Sequence, residues 1–493
     1  MLEGVVSITA AAGLLVLATQ IKVNPMVREG QVSGLAALQL RFAWLALPLI
    51  AVVIANARSA HFELISRFVC AAFAGLASGF VAGGVAIALR GTPYCLNGHW
   101  GDSGTLALWA NAISAHDPSG YPPHFYPPLF PWALAWYKDL VGQPALYALK
   151  DLQLAGAAVL GPVSYLAWRM LLRPGWALAI GILAAFVVIE PYKPYENLVL
   201  VVLLPTVIRY LQVLRRADER TIKQLLEAGL VFGVAFGVMC LTYSGWLRWS
   251  APGVIASALI VVPWRGGRWK ASVVLGVLTI AVFTVVIWGY LWNIETYVKE
   301  IAPSGQPIVR DNYVYFDVLI DPAYFAMWKG DLPGATTVWP PPGEIGGLGV
   351  YSLLGFSGIG IALAMGRART AVIALLSIFT GTWLMRFWYA HLMFKTHFVQ
   401  LYPRTSIELA YIIVVVGGFA AYYVVEYVAR RREDSPLRDR WASIGSLVAL
   451  AFVIGSAASS VADRYMPTQA LSPGRLANLA HDASMQKIPP DPP

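Results

Sequence analysis

The sequence predicts an all-α polytopic membrane protein. Of its 493 residues, 58% are hydrophobic and only 13% are charged, and the mean hydropathy is +0.61. Soluble globular chains carry roughly twice that share of charged residues. The chain also contains about thirteen apolar runs of the length that crosses ~30 Å of hydrocarbon. Because no water satisfies backbone polar groups in that layer, each run is expected to be a helix.

The predicted spans divide the chain into a membrane module over 1–465 and a Pro- and Ala-rich tail over 466–493. A further run, 129–142, is expected to be an interfacial helix or an additional span. The spans are 4–21, 37–57, 66–89, 151–168, 174–189, 197–214, 228–243, 252–264, 271–292, 347–365, 371–388, 406–428 and 442–462.

Basic residues predict the orientation of these spans. With a cytoplasmic N-terminus, the loops on that side total about 62 residues and hold 19 of the 36 Lys and Arg. Cytoplasmic loops of membrane proteins carry such an excess. The long loops 90–150 and 293–346 and the tail are then extracytoplasmic. The net charge of +9 is interpreted as a topology signal at a multi-pass cell membrane, not as a nucleic-acid-binding surface.

Several classes of site are not predicted. The three cysteines have no metal-ligand spacing, and no Gly-rich phosphate loop follows a strand. We therefore expect no metal and no cofactor. The first apolar run lacks a cleavable signal pattern and is expected to be a retained span.

The first candidate site lies in the opening loop, where Asp102 begins a helical run over 105–114. The carboxylate is a candidate general base that takes a proton from an acceptor hydroxyl. The alternative is an N-cap, because a helix N-terminus also favours a carboxylate. Trp109 on this run is predicted to contact substrate, as are His124, between the two stiff Tyr-Pro-Pro steps that follow, and Tyr126, which begins the second step. An ordinary interfacial loop with belt aromatics is the other interpretation.

A second candidate cluster is the short turn 190–197, which contains two carboxylates, a lysine and two tyrosines. Glu190 and Tyr192 are predicted to bind substrate, and Lys193 to contact a phosphate. The alternative is a solvated turn with interface tyrosines.

The third cluster precedes the span at 406–428, where Lys395, His397 and Arg404 gather at a helix N-terminus. Cations around a helix N-terminus form a ready anion site, and a phosphate fits it. The alternative is that these side chains extend to the membrane interface.

With these residues in view, the chain resembles the actinobacterial galactan 5-O-arabinofuranosyltransferases, membrane glycosyltransferases of the C type. The matching segments run in family order and cover most of residues 90–430. They are Gly101-Asp102-Ser103-Gly104, His124-Phe125-Tyr126-Pro127-Pro128, Gly142-Gln143-Pro144-Ala145, Glu190-Pro191-Tyr192, Leu203-Leu204-Pro205, Leu241-Thr242-Tyr243-Ser244-Gly245 and Gln400 to Thr405.

The resemblance implies transfer of arabinofuranose from decaprenyl-phosphoryl-arabinofuranose to a lipid-linked galactan acceptor in cell-wall arabinogalactan synthesis. It implies that Asp102 acts as the base, and a single displacement would invert the anomeric centre. Family members carry an extracytoplasmic domain after the last span. Here either the sequence is truncated or acceptor binding is handled differently, with the loop 293–346 as the replacement that covers the opening loop.

Two other functions remain open at this point. A related transferase with a polyprenyl-phosphate mannose or glucose donor would use the same clusters. A lipid-linked sugar flippase or transporter would use no chemistry, but transporters concentrate charges or broken helices near the bilayer midplane. In this sequence intramembrane charges are few, with Arg41 the clearest.

Overall fold

The computed structural model describes residues 2–123, 126–301, 350–396, 405–430, 436–470 and 472–490. Within these ranges the regular elements are α-helices and single 3-10 turns, without a β-strand. Nine of the described helices are long and apolar enough to cross a membrane. The predicted all-α polytopic membrane class is therefore confirmed.

The α-helices are numbered here in chain order over the described ranges. They are α1 Leu2–Thr19, α2 Arg28–Ala55, α3 Phe62–Ala88, α4 Gly101–Ser114, α5 Leu129–Val141, α6 Ala145–Arg169, α7 Pro174–Val188, α8 Pro194–Arg215, α9 Ile222–Thr242, α10 Ser244–Val261, α11 Trp269–Ile301, α12 Val350–Gly366, α13 Thr370–Thr396, α14 Thr405–Arg430, α15 Pro436–Asp463 and α16 Gly474–Met485.

Each predicted span coincides with a helix, but thirteen membrane crossings are not confirmed. Four of the helices, α6, α7, α10 and α12, are too short or too polar over their described residues to be counted among the nine. Helix α6, for example, carries Lys150 and Asp151 in its second turn. The run 129–142 forms α5, whose 13 residues cover only about 20 Å, too little for a further span.

The chain forms two compact units, and the first comprises Met1–Val202 and Glu433–Pro493. Helix α3 is its centre, since 94% of its apolar window is buried and α1, α2, α6, α7 and α15 pack around it. The helix is rich in Ala and Gly, which let neighbouring backbones approach closely. This framework supports the loops that carry the first two candidate clusters.

The second unit, Leu203–Arg432, pairs α9 with α11, α10 with α13, and α12 with α14. Among its described residues, two charged side chains are buried, Arg386 on α13 and Glu408 on α14. Arg386 donates to the Thr405 hydroxyl at 3.3 Å, and Glu408 accepts from Ser250 on α10. These contacts join α10, α13 and α14 through polar groups inside an apolar unit.

The C-terminal segment folds back within the first unit. Its helix α16 packs on the chain that leaves α3, where the Asn97 amide donates to the Leu476 carbonyl at 2.8 Å. The Thr92 hydroxyl donates to the Ala480 carbonyl at 2.9 Å, and the buried His481 ring lies 2.9 Å from the Ala88 carbonyl. The tail thus becomes part of the surface from which α4 begins.

Candidate functional site

Asp102 occupies the second position of α4, whose N-cap is Trp100 and has no side-chain capping bond. The interpretation of Asp102 as the N-cap is therefore wrong, although its charge still lies in the favourable first turn. Its carboxylate instead forms an ion pair with the Lys193 ammonium. The Asp102 side chain remains 45% exposed, whereas that of Lys193 is 10% exposed. A carboxylate that faces solvent is thus paired with a buried cation.

Two glycines allow α4 to begin close to the loop that precedes it. Gly101 has a φ of +52°, in the left-handed region that favours glycine. A Cβ atom on Gly104 would lie 2.1 Å from the His99 carbonyl oxygen, which no side chain tolerates without movement of the backbone. The spacing of these glycines therefore positions the first turn of α4 against the preceding loop.

The turn between α7 and α8 is buried, so the alternative of a solvated turn is wrong. Lys193 and Glu196 are 8% and 5% exposed, and their charged groups lie 3.8 Å apart. Lys193 therefore contacts two carboxylates, Glu196 from its own turn and Asp102 from α4. Buried charges are stable when they are paired and hydrogen-bonded, as this cluster is.

Tyr192 connects this turn to the loop before α4. Its phenol oxygen accepts from the Asn97 side-chain amide at 3.1 Å and from the Ser103 backbone amide at 3.3 Å. Burial raises the pKa of the Tyr192 phenol, and the Asp102 carboxylate raises it further. The hydroxyl therefore stays protonated, and Asp102 lies close to a neutral polar group.

Gln153 on α6 holds the same two loops together. Its fully buried side chain accepts from the Leu96 amide at 2.8 Å and donates to the Tyr192 carbonyl at 3.0 Å. One side-chain amide thus satisfies a donor on one loop and an acceptor on the other. Gln153 therefore links the loop before α4 to the turn that carries Lys193.

An aromatic cluster of Trp109, Tyr126, Phe130 and Tyr195 extends from the ion pair. The ring centroids of Trp109 and Tyr126 are 4.6 Å apart, and Phe130 stacks on Tyr195 at 4.2 Å. The two tyrosine hydroxyls are 2.7 Å apart. Trp109 follows Asp102 by two helical turns, so both residues project from the same side of α4. Flat apolar faces with polar tips suit a sugar ring.

A cleft of about 330 Å³ opens beside the start of α4. His99, Gly101 and Thr105 line one side of it, and Ile488 and Pro489 of the C-terminal segment line another. The Nδ1 atom of His99 is buried and has no hydrogen-bond partner among the described residues. Burial lowers the pKa of His99, so its ring is neutral at physiological pH.

The structure brings together Asp102, Lys193 and Tyr192, and it joins Trp109 to Tyr126. Glu190 lies in the turn between α7 and α8, and its role in substrate binding stays a prediction. Its carbonyl accepts from the Lys193 amide at 3.1 Å and from the Asn197 side chain at 3.0 Å. Burial raises the pKa of Tyr465, and the Glu190 carboxylate raises it further. Its main-chain role is to close the turn.

The remaining predicted residues stay predictions. His124, His397 and Arg404 lie outside the described residues. Lys395 is in α13, but its side chain lies outside the described part of the structure. Most of the loop 293–346 also lies outside, since α11 ends at Ile301 and α12 begins at Val350.

Sequence patterns missed Gln153, Asn97 and the contribution of the tail to the cleft. Gln153 had a usable signal, because it is a single amide inside a predicted apolar span. Asn97 had no signal in the sequence other than being a residue type that favours turns.

In the described part of the chain, no three His, Cys, Asp or Glu side chains are grouped so that they could hold a metal ion. Comparison with protein-family models and with curated proteins finds no match.

Proposed function

We propose that this protein is a polyprenyl-phosphate-sugar-dependent glycosyltransferase of the C type, which moves arabinofuranose from decaprenyl-phosphoryl-arabinofuranose to lipid-linked galactan. The observation that carries the proposal is the ion pair between Asp102 and Lys193. The pair places a solvent-facing carboxylate, which can act as a base, beside a buried ammonium, which can bind a phosphate. The choice of arabinose and galactan depends on the family resemblance of the motifs.

Lys193 is suited to contact the donor phosphate without leaving its partners. An ammonium has three donors; one faces Asp102, and Glu196 lies 3.8 Å away, beyond hydrogen-bond distance. A phosphate oxygen takes one of the remaining donors. The phosphate and the Asp102 carboxylate would then share the positive charge of one ammonium.

In the proposed step, Asp102 accepts the proton of an acceptor hydroxyl as its oxygen attacks the anomeric carbon. The bond between that carbon and the phosphate oxygen breaks, and the electron pair leaves with the polyprenyl phosphate. The ammonium of Lys193 stabilises the charge that develops there. One displacement inverts the anomeric centre. The aromatic cluster of Trp109, Tyr126, Phe130 and Tyr195 offers faces for the sugar rings.

Transfer from a synthetic short-chain polyprenyl-phosphate arabinofuranose to a galactan oligosaccharide tests the proposal. Asp102→Asn keeps the side-chain size and removes basicity, so the rate is expected to fall about 100-fold or more. Asp117→Asn is the matched control, because Asp117 is an exposed carboxylate just after the same helix that only bonds Ser119.

Two results contradict the proposal. A near-normal rate for Asp102→Asn removes the general base. Retention of the donor's anomeric configuration excludes the single displacement and requires a nucleophile such as Glu190. Parallel assays with mannose and glucose donors decide the sugar separately from the mechanism.

A further inference from the structure

A second cluster of charges lies at the other ends of the helices in the first unit. Glu3 in the first turn of α1 is 8% exposed and contacts two arginines, Arg67 on α3 and Arg169 at the end of α6. The Nε atoms of Arg67 and Arg169 lie 2.6 and 3.0 Å from its carboxylate oxygens. The Tyr165 hydroxyl also donates to Glu3, at 3.3 Å.

The two arginines differ in what their guanidinium groups still offer. Arg169 uses all three nitrogens, since Nη1 donates to the Leu172 carbonyl at 2.6 Å and Nη2 lies 3.4 Å from Glu3. Arg67 uses only Nε within the described residues, and its side chain is 48% exposed. Its two Nη groups therefore present a planar pair of donors, the geometry that matches two phosphate oxygens. One carboxylate between two arginines leaves a net positive charge.

These arginines border a cleft of about 450 Å³. Its other walls are apolar, formed by Leu64 and Phe68 of α3 and Leu166 of α6. Leu64 is 48% exposed, and the neighbouring Leu2 and Val5 of α1 are also exposed. A cation at the edge of an apolar cleft between helices of a membrane protein complements a ligand with an anionic head and hydrocarbon chains.

We propose that this cleft binds an anionic phospholipid, with its headgroup phosphate on the Nη atoms of Arg67 and an acyl chain along Leu64, Phe68 and Leu166. Glu3 and Arg169 position Arg67 and do not contact the lipid phosphate themselves. The proposal is independent of the transferase activity, because the cleft and the Asp102 site share no residue.

Native mass spectrometry of the full chain in a neutral detergent tests this site. Dioleoyl phosphatidylglycerol and dioleoyl phosphatidylcholine have the same chains and differ in headgroup charge. The wild type is expected to bind the anionic lipid about tenfold more tightly, a difference of about 1.4 kcal/mol. Arg67→Gln should abolish this preference, and Arg67→Lys, which keeps the charge without the planar pair, should retain part of it.

Arg58→Gln is the matched control, because Arg58 is an exposed arginine just before the same helix that does not line the cleft. It should leave the preference unchanged. Equal binding of the two lipids by the wild type, or equal losses in Arg67→Gln and Arg58→Gln, would overturn the proposal. Glycerol 3-phosphate serves as the headgroup without chains. If it displaces phosphatidylglycerol as effectively as the lipid does, the site is one for a soluble phosphate and the lipid assignment is wrong.

Discussion

The Lys193 ammonium contacts the carboxylates of both Asp102 and Glu196, and only Asp102 of the three is substantially exposed. The lysine therefore links a group that substrate can reach to one that it cannot. Loss of a buried cation leaves uncompensated negative charge, whereas loss of an exposed one is screened by water. This difference makes the cluster testable by stability as well as by activity.

Lys193→Met should lower the free energy of unfolding by about 3 kcal/mol, because Glu196 loses its cation in a buried place. Adding Glu196→Gln removes the negative charge and should restore part of this loss. Lys223→Met is the control, since Lys223 and Glu227 form an exposed pair on α9 and its loss should cost less than about 1 kcal/mol. Thermal unfolding in detergent measures all three. Equal effects of the two lysine substitutions would mean that burial does not strengthen the Lys193 pair.

Gln153→Leu should separate the loop before α4 from the turn before α8. The substitution leaves the Leu96 amide and the Tyr192 carbonyl without the partners that Gln153 supplies, at about 1–3 kcal/mol for each buried group. Gln212→Leu removes a half-buried side chain whose hydrogen bond, accepted from Arg209, is exposed, and it should be nearly neutral. We expect Gln153→Leu to lower both the unfolding temperature and the transfer rate. An unchanged transfer rate would show that the two loops keep their relative position without Gln153.

Gly104→Ala should displace α4 from the loop that precedes it, because the new Cβ would meet the His99 carbonyl oxygen at 2.1 Å. Overpacking of this kind costs about 1–3 kcal/mol. Gly175→Ala on α7 adds the same methyl group in open space and serves as the control. Transfer assays should show a lower rate for Gly104→Ala alone. If both variants have wild-type rates, the position of the first turn of α4 does not limit transfer.

The attachment of α16 should weaken in acid. Burial lowers the pKa of His481 below its ordinary value of 6.5; the Lys150 charge lowers it further, while the Ala88 carbonyl and Asp482 oppose the shift. Above pH 6.5 the ring is neutral whether α16 is attached or detached. As the pH falls below 6.5, the detached state takes up a proton that the attached state resists, so detachment becomes more favourable.

Hydrogen exchange measures this effect. After correction for intrinsic rates, the amides of α16 should exchange faster at pH 5.5 than at pH 7.5. His481→Asn keeps a donor for the Ala88 carbonyl and should remove the pH dependence. A persistent pH dependence in that variant would assign the effect to another group.

The sequence alone determined the class of the protein and the positions of its helices. Hydrophobic runs of span length form helices in a membrane whatever their neighbours are, because the backbone has no other way to satisfy its polar groups. The helical run after Asp102 was predictable for a similar reason, since its apolar residues recur at helical spacing. The number of membrane crossings did not follow from the sequence, because short or polar helices such as α6 and α7 resemble spans in composition.

The tertiary structure decided which polar groups meet. Asp102 and Lys193 are 91 positions apart, and no local pattern indicates that their charges form one pair. Gln153 bonds both loops from a third helix, and Gly101 and Gly104 permit the close approach of α4. The same holds for the tail, which was predicted only as a Pro- and Ala-rich extension, yet Ile488 and Pro489 line the cleft. Local spacing specifies helices because their hydrogen bonds are local, whereas these contacts join segments far apart in the chain and form only when the helices pack.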